Sequence, residues 1–420
     1  MMLRLNLKVG AAALVASAFL FSCTQDEKTS QEEAAFTELD SNFDSQAIDG
    51  QYIVVYRDSA IEDVGAKYPD NYSKAQEAMA QQTKRILAEA SISDAEIVNV
   101  YSRTVNGATL KLSKAQVEQL KGKKEVKYIE QDRIVMFAPP CGTPKGGPCE
   151  DPGTPDPTDP GTSTQETPYG ILRVNGATSY TGTNVAWIVD SGVDLDHPDL
   201  NVDASRGFNA FTSGKDGNST DDGNGHGTHV AGTIAAINNT IGVIGVAPGA
   251  TVIPIKVLDS RGSGSYSGVI AGVDHVGANG KSGDVANMSL GGPVSQALDD
   301  AVLAASNKGI KFALAAGNES ADANNSSPAR VNGANIVTIS AMNSSDSWAS
   351  FSNYGNPPVD YAAPGVSIKS TWKGGGYNTI SGTSMASPHA AGVLLLGAAS
   401  TDGTVKNDPD GNPDPIIVHL

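Results

Sequence analysis

Positive charge is scarce in this chain: 29 lysines and arginines stand against 46 aspartates and glutamates, a formal net charge of -17 over 420 residues. A nucleic acid or a polybasic membrane contact requires clustered cations to replace counterions, so neither is an expected partner. Long hydrophobic runs are missing too. The apolar stretch at residues 9–21 is too short to cross a bilayer as a permanent anchor. Cysteine occurs only at Cys23, Cys141 and Cys149, too few ligands for a thiolate metal centre, and the zinc-binding arrangement HExxH is absent. What remains is an acidic, soluble chain, 39% hydrophobic, long enough to bury one large core and carry a smaller domain beside it.

Residues 1–23 read as a targeting segment, with Arg4 and Lys8 ahead of the apolar run and LFSC at its end. Ser22 before Cys23, with Leu20 ahead of them, resembles a bacterial lipoprotein signal in which Cys23 is lipidated and becomes the first mature residue. An ordinary signal peptide cut nearby is the alternative. Either way the protein is exported, as a secreted protein or as an outer-membrane or cell-surface lipoprotein whose only membrane contact is that anchor. The polar stretch 24–49 has little to bury and is expected to be a flexible tether. Residues 139–166, rich in Pro, Gly, Asp and Thr, read as an exposed linker, and Cys141 and Cys149 within it are expected to form a small surface disulfide.

Residues 50–138 alternate short strands and helices in the order β, α, β, β, α, β. YIVVY, IVNVY, GATLKL and VKYIEQ are the strands. An amphipathic helix carries Tyr72, Ala75, Met79, Ile86 and Ala90, and Ser113 with Gln116 forms a capping box for a second. This is a ferredoxin-like α+β unit of less than about a hundred residues, marginally stable alone. It holds no catalytic-looking His, Cys or carboxylate pair, so binding or folding assistance is its expected use.

The chemistry lies further on. Residues 381–392 read SGTSMASPHAAG and continue into Val393, Leu394, Leu395 and Leu396, placing Ser384 among small residues at the start of a predicted helix. A serine hydroxyl is a poor nucleophile that needs a general base and donors aimed at the oxyanion it creates. A helix start supplies unpaired amides and a positive dipole end. Pro388 is expected in the first helical turn, where no amide is needed. A capping serine on a buried helix is the plainer alternative, so the base must come from elsewhere.

Val185 to Val189 form an apolar run suited to a buried parallel strand, delivering Asp190 to its carboxyl end, the edge where α/β sheets gather ligands and catalytic groups. A carboxylate there wants a partner. The sequence DDGNGHGTHVAGTIAA supplies one: His226, between Gly225 and Gly227, is freer to reach a nucleophile than His229, which should face the first helical turn. The pair has no acidic third ligand, so metal binding by it is not expected. His197, His275 and His389 read as structural or solvent-facing.

The chain order Asp190, His226, Ser384 is that of subtilisin. The motifs IVDSGVD, GHGTHVAGT, NMSLGG, AAGN, ASFSNYG, APG and SGTSMASPHAAG resemble the subtilase family, closest to its proteinase K branch, over roughly residues 168–399, and the unit before them resembles the subtilase propeptide. The resemblance implies a subtilisin-like α/β peptidase domain over residues 167–401, three-layered on a parallel sheet, followed by a tail at 402–420 and preceded by a chaperoning and inhibiting propeptide at 50–138. It implies an exported serine endopeptidase made as a self-processing zymogen, monomeric, acting on polypeptide substrates and needing no cofactor for its chemistry.

Residue by residue, Ser384 would be the nucleophile, His226 the base, Asp190 its orienting partner and Asn318 the oxyanion donor. Gly262, Ser263 and Gly264 on one side and Ser289, Leu290, Gly291 and Gly292 on the other match the segments between which a peptide adds as a strand. Ser289 to Gly292 with Ala315, Ala316 and Gly317 match the primary pocket walls, which hold no acid, so broad, apolar-leaning specificity is expected. Asp360 with the carbonyls of Ala334 and Ile336 matches a structural calcium site, whereas NDPDGNPD at residues 407–414 reads as a turn. The chain departs from the family in Val230, where the proteinase K branch often has cysteine, and in its long linker, which leaves self-cleavage anywhere from about residue 138 to 166. It also ends soon after the nucleophile helix, with PIIVHL as a short covering strand. A binding lipoprotein on an inactive scaffold and a narrow processing protease are the rival readings.

Overall fold

The computed structural model describes residues 47–136 and 164–420. Cys23, Cys141 and Cys149, the signal segment and nearly all of the linker lie outside the described residues. No helix among the described residues is long and apolar enough to cross a membrane.

The first unit is built from β1 (Ala47–Tyr56), α1 (Tyr72–Glu89), β2 (Glu96–Tyr101), β3 (Gly107–Lys111), α2 (Lys114–Lys121) and β4 (Val126–Met136). Asn71 caps α1 by accepting from Lys74 N, and Ser113 with Gln116 caps α2 reciprocally, as their spacing predicts. The strands pair antiparallel in the order β2–β3–β1–β4, with β1 starting ahead of the expected boundary at residue 50. The period-2 alternation of β1 divides its side chains. Val54 and Tyr56 join Ala75, Met79, Ile86 and Val117 in the unit's own core, while Ile53 and Val55 face away and enter the core of the second unit.

The second unit is a parallel sheet with helices on both faces. Its central strands are β5 (Ala186–Asp190), β6 (Thr251–Lys256), β8 (Val285–Met288), β9 (Lys311–Ala315), β10 (Ile336–Met342) and β11 (Val359–Pro364), with the short β7 (Ser263–Ser265) standing apart from them. They lie in the order β11–β10–β9–β8–β5–β6, every pair parallel. Ala186 and Ile188 pack against α3 (His226–Ala235) on one face; Trp187 and Val189 pack against α4 (Tyr266–Asn279) and α5 (Gln296–Ser306) on the other. A hairpin, β12 (Ile368–Trp372) with β13 (Gly376–Ile380), precedes α6 (Thr383–Leu396).

At the chain end the strand expected at PIIVHL is present, and a second strand pairs with it across the expected domain boundary. β14 (Ala399–Thr404) and β15 (Pro415–His419) form an antiparallel pair, and β15 joins β11 in parallel through Ala362 and Ile416. The expected boundary at residue 401 thus falls inside a strand, because Ile416, Ile417 and Val418 are buried and complete the sheet edge.

The first unit lies on α4 and α5 of the second. Asp274, midway along α4 and fully buried, accepts from the backbone amides of Ser102, Arg103 and Thr104, the hydroxyls of Thr104 and Tyr72, and Gln76 Nε2. In return Asp132 accepts from Ser267 N in the first turn of α4 at 3.1 Å, and Glu130 from Ala297 N in that of α5 at 3.2 Å. Negative side chains at two helix starts are favourable against the exposed amides and dipole ends there.

Candidate active site

Ser384 is the second residue of α6 and 2% exposed; its Oγ donates to the carbonyl of Ser289 at 3.3 Å. Pro388 sits inside the helix rather than in its first turn. A proline there cannot donate to the carbonyl four residues back, which belongs to Ser384. The Ser289 hydroxyl takes that place at 2.8 Å, itself accepting from Asn287 Nδ2 at 2.8 Å, while Asn287 Oδ1 accepts from Ser387 Oγ. The correction exposes a tie that spacing alone does not show: the backbone of the nucleophile is fixed to the end of β8.

Asp190 closes β5 and His226 opens α3. The imidazole Nδ1 donates to both carboxylate oxygens, at 2.9 and 3.0 Å, in a site where Asp190 is fully buried and His226 3% exposed. Four of the five remaining histidines bind backbone carbonyls through a ring nitrogen: His229 that of Ile368, His389 that of Met385, His197 that of Gly376 and His275 that of Arg206. Burial pushes His229 down to about 3 and His389 down to about 4, so both stay neutral at physiological pH and cannot act as proton donors there.

Asn318 follows β9. Its Oδ1 accepts from both the backbone N–H and the hydroxyl of Thr383, each at 2.8 Å, and the same hydroxyl accepts from Gly317 N. Because those groups require an oxygen, the amide nitrogen is turned the other way, towards Gly382 and the start of α6. Thr383 is therefore part of the site, and only its place beside Ser384 could have signalled it. Asn318→Ala should lower kcat about 10²- to 10³-fold with little change in KM, read from steady-state hydrolysis of a peptide anilide.

The two glycine-rich segments are brought together with a peptide between them. Ile134, Val135 and Met136 of β4 pair antiparallel with Ser265, Gly264 and Ser263 of β7, and Met136 also bridges Gly291, whose N–H donates to its carbonyl at 3.2 Å. Val135 is buried with Leu290 and Tyr266. Gly262 lies in the turn before β7, and Gly292 in a two-residue strand after Gly291. Ala315 and Ala316 are buried at the end of β9, beside Gly317. One wall differs from expectation. Glu319 folds back over Gly317, its carboxylate accepting from Asn353 Nδ2 at 2.7 Å, so an acid stands beside one of the segments expected to wall the primary pocket, which themselves contain none.

Two places can hold a hard cation. Asp360 Oδ2 accepts from Thr338 N at 2.9 Å. The carbonyl of Ile339 turns to β9, so strand alternation turns that of Ile336 to the Asp360 side, while Ala334 lies in the turn before the strand. The second was not foreseen. Gln165 Nε2 faces the carbonyls of Ile237, Ile241 and Val243 and Asn239 Oδ1 at 2.7–3.5 Å, with the fully buried Asp199 carboxylate bonded to Asn239 Nδ2 and Val243 N. Burial raises the Asp199 pKa above the usual carboxylate range. One amide has two hydrogens for four oxygens, and oxygens gathered round a buried carboxylate suit calcium. The loop from residue 237 to 243 carries no acid, so its sequence gave no signal.

A strand-end Asp bonded to a helix-start His, with a helix-start Ser on another helix of the same parallel α/β fold and a peptide strand paired to the sheet's glycine-rich loops, are the parts a serine peptidase needs. The Subtilase family profile matches residues 181–403 and the peptidase inhibitor I9 profile residues 51–138, and the chain belongs to the subtilase family, as a subtilisin-like serine protease with its own propeptide domain. It is 39% identical over 363 residues to the alkaline serine exoprotease A of Vibrio alginolyticus, covering 84% of this chain and 61% of that one. It is 38% identical over 362 residues to the extracellular serine proteinase of Thermus sp. (strain Rt41A), covering 84% and 80%, and 47% identical over 241 residues to a subtilisin of Bacillus pumilus, covering 55% and 84%. A crystal structure of a cold-adapted subtilisin-like serine proteinase matches with a TM-score of 0.52 at 39% identity, covering 60% of this chain and 98% of that one.

Proposed function

We propose that this protein is an exported endopeptidase that cleaves extended polypeptides of broad sequence, leaning to apolar residues before the cut, and that it is held inactive by its own propeptide until it cuts the linker. The observation that carries the reading is the seating of residues 134–136 across both Ser263–Ser265 and Gly291, where main-chain pairing takes any sequence. With its Nδ1–H given to Asp190, His226 keeps the basic lone pair on Nε2. It takes the proton as Ser384 Oγ attacks the carbonyl and returns it to the leaving amine, while Asp190 stabilises the imidazolium. Asn318 Nδ2 and the first-turn amides of α6 face the developing oxyanion. Water then releases the acyl group by the same steps reversed.

Cys23 lipidation, the Cys141–Cys149 disulfide and a monomeric state belong to this proposal. Expressing residues 24–420 should yield a chain that shortens to a new N-terminus between residues 138 and 166 and digests casein, both read by mass spectrometry over time. Cleavage of a peptide library should favour apolar residues before the cut. A dominant Lys or Arg preference would instead make Glu319 the governing group of the pocket.

Calcium is the proposed structural ion, at the Asp199 loop and at Asp360. It would hold loop 237–243 to the chain entering at Gln165, without taking part in catalysis. At a free concentration a hundred times Kd it should stabilise by about 2.7 kcal/mol, seen as a calcium-dependent rise in Tm. Asp199→Ala should remove most of that rise, and a Tm indifferent to chelator would discard the ion.

A further inference from the structure

The helix that carries His226 has no cap of its own. Its N-cap residue is Gly225, at φ +114° and without a side chain, and Trp372 packs so closely on it that no Cβ fits. The orphan amides of the first turn are instead satisfied from outside. Gly227 N donates to Ser191 Oγ at 3.0 Å, Thr228 N to Asp222 Oδ2 at 2.9 Å, and His226 N to Asn224 Oδ1 at 3.2 Å. Asp222 is almost wholly buried, and its carboxylate also accepts from the amides of Asn224 and Gly225 and from Thr228 Oγ1.

Ser191 joins this cap to the catalytic carboxylate. It is the residue after Asp190 and fully buried; its backbone N–H donates to Asp190 Oδ1 at 2.7 Å, and its hydroxyl donates to Asp222 Oδ1 at 2.9 Å while accepting from Gly227. Its carbonyl accepts from Nζ of Lys256, 1% exposed at the end of β6 and 3.4 Å from Asp216. All three polar groups of one serine are thus engaged, each to a different element: the carboxylate at the end of β5, the start of α3 and the end of β6.

We propose that Ser191 and Asp222 are positioning residues for the peptidase reaction: the hydrogen bond between them spans from the strand of Asp190 to the helix of His226 and sets the angle at which imidazole and carboxylate meet. This rests on the Asp190–His226–Ser384 assignment. A cap whose only purpose was helix stability could come from any polar side chain on the preceding loop. Here one of its members is covalently next to the catalytic aspartate, so a shift of α3 relative to β5 is resisted at the dyad itself. A misplacement of about 1 Å in such a constellation costs on the order of a hundredfold in rate.

Ser191→Ala, Ser191→Thr and Asp222→Asn would be made in the full chain and their self-processing, kcat, KM, Tm and the low-field proton signal of His226 Nδ1–H recorded. Ser191→Ala and Asp222→Asn should lower kcat about 10- to 100-fold with KM within about twofold, and move or broaden that signal. Ser191→Thr, which keeps the hydroxyl, should restore kcat and the signal. The proposal is overturned if Ser191→Ala keeps wild-type kcat and signal, or if the threonine variant is as impaired as the alanine one. Should Ser191→Ala fail to fold, Asp222→Asn and the threonine variant decide it by the same readouts. Loss of hydrolysis in Ser384→Ala with an unchanged Nδ1 signal separates failure of this proposal from failure of the triad assignment itself.

Discussion

Ser384→Ala should leave the full chain uncut and inert: no shortening, no casein hydrolysis, and a kcat lower by on the order of a millionfold once propeptide and peptidase domain are separated by an added protease. The expectation follows from the site. The other hydroxyls beside Ser384 are committed elsewhere, Ser289 to the Ser384 carbonyl, Ser387 to Asn287 and Thr383 to Asn318, so none of these three is free to replace it. The substitution removes one oxygen from a 2%-exposed position and leaves the helix's other polar bonds, those of Thr383, Ser387 and His389, in place, so the fold should survive, and Tm measured beside activity checks that. A processed but inert alanine variant would separate maturation from catalysis and return the scaffold reading to favour.

Asp190→Asn should lower kcat about 10⁴-fold at neutral pH while leaving KM nearly unchanged. Asn and Asp are isosteric, so the strand end and the Ser191 turn are retained. What changes is the donor pattern: Asp190 accepts both the imidazole Nδ1–H and the Ser191 amide, whereas an asparagine has one oxygen and two hydrogens. If the oxygen stays with Ser191, an amide N–H faces Nδ1, the ring takes the other tautomer, and Nε2 is no longer a base towards Ser384. Steady-state kinetics on one anilide substrate, with nitrogen NMR of the His226 ring for the tautomer, would read both effects. A loss of only a few-fold would show that the carboxylate serves structure rather than proton transfer.

One surface of the propeptide meets both the glycine-rich groove and the helix starts beside it. β4 ends in the substrate groove, and behind it Asp132 and Glu130 cap the helices that flank the groove while Asp274 reaches back into the amides of Ser102, Arg103 and Thr104. Each carboxylate satisfies donors on the other unit that would otherwise be buried without partners. The helices whose starts it meets, α4 and α5, share a core with strands β5 and β8.

Much of this protein was legible in its residue order. The alternation in YIVVY and IVNVY, the capping box at Ser113, the apolar run into Asp190 and the small-residue helix after Ser384 depend on local backbone preference and on 2- and 3.6-residue periods, which need no partner to be recognised. Asp190, His226, Ser384 and Asn318 could be singled out because each sits at or just past a strand end or helix start that the local sequence announces. Other features were settled only when distant segments met. Pro388 fell in the second helical turn because Ser289, ninety-five positions away, satisfies the Ser384 carbonyl in its place. Glu319 came to stand beside Gly317 by folding back, the strand expected at PIIVHL found its parallel neighbour in β11 and its antiparallel one at residues 399–404, and the Gln165–Asp199 oxygens gathered from three separate loops. Carbonyl direction, a hydroxyl between two elements and a carboxylate across an interface are long-range properties: they follow from where other parts of the chain stand, which local sequence does not encode.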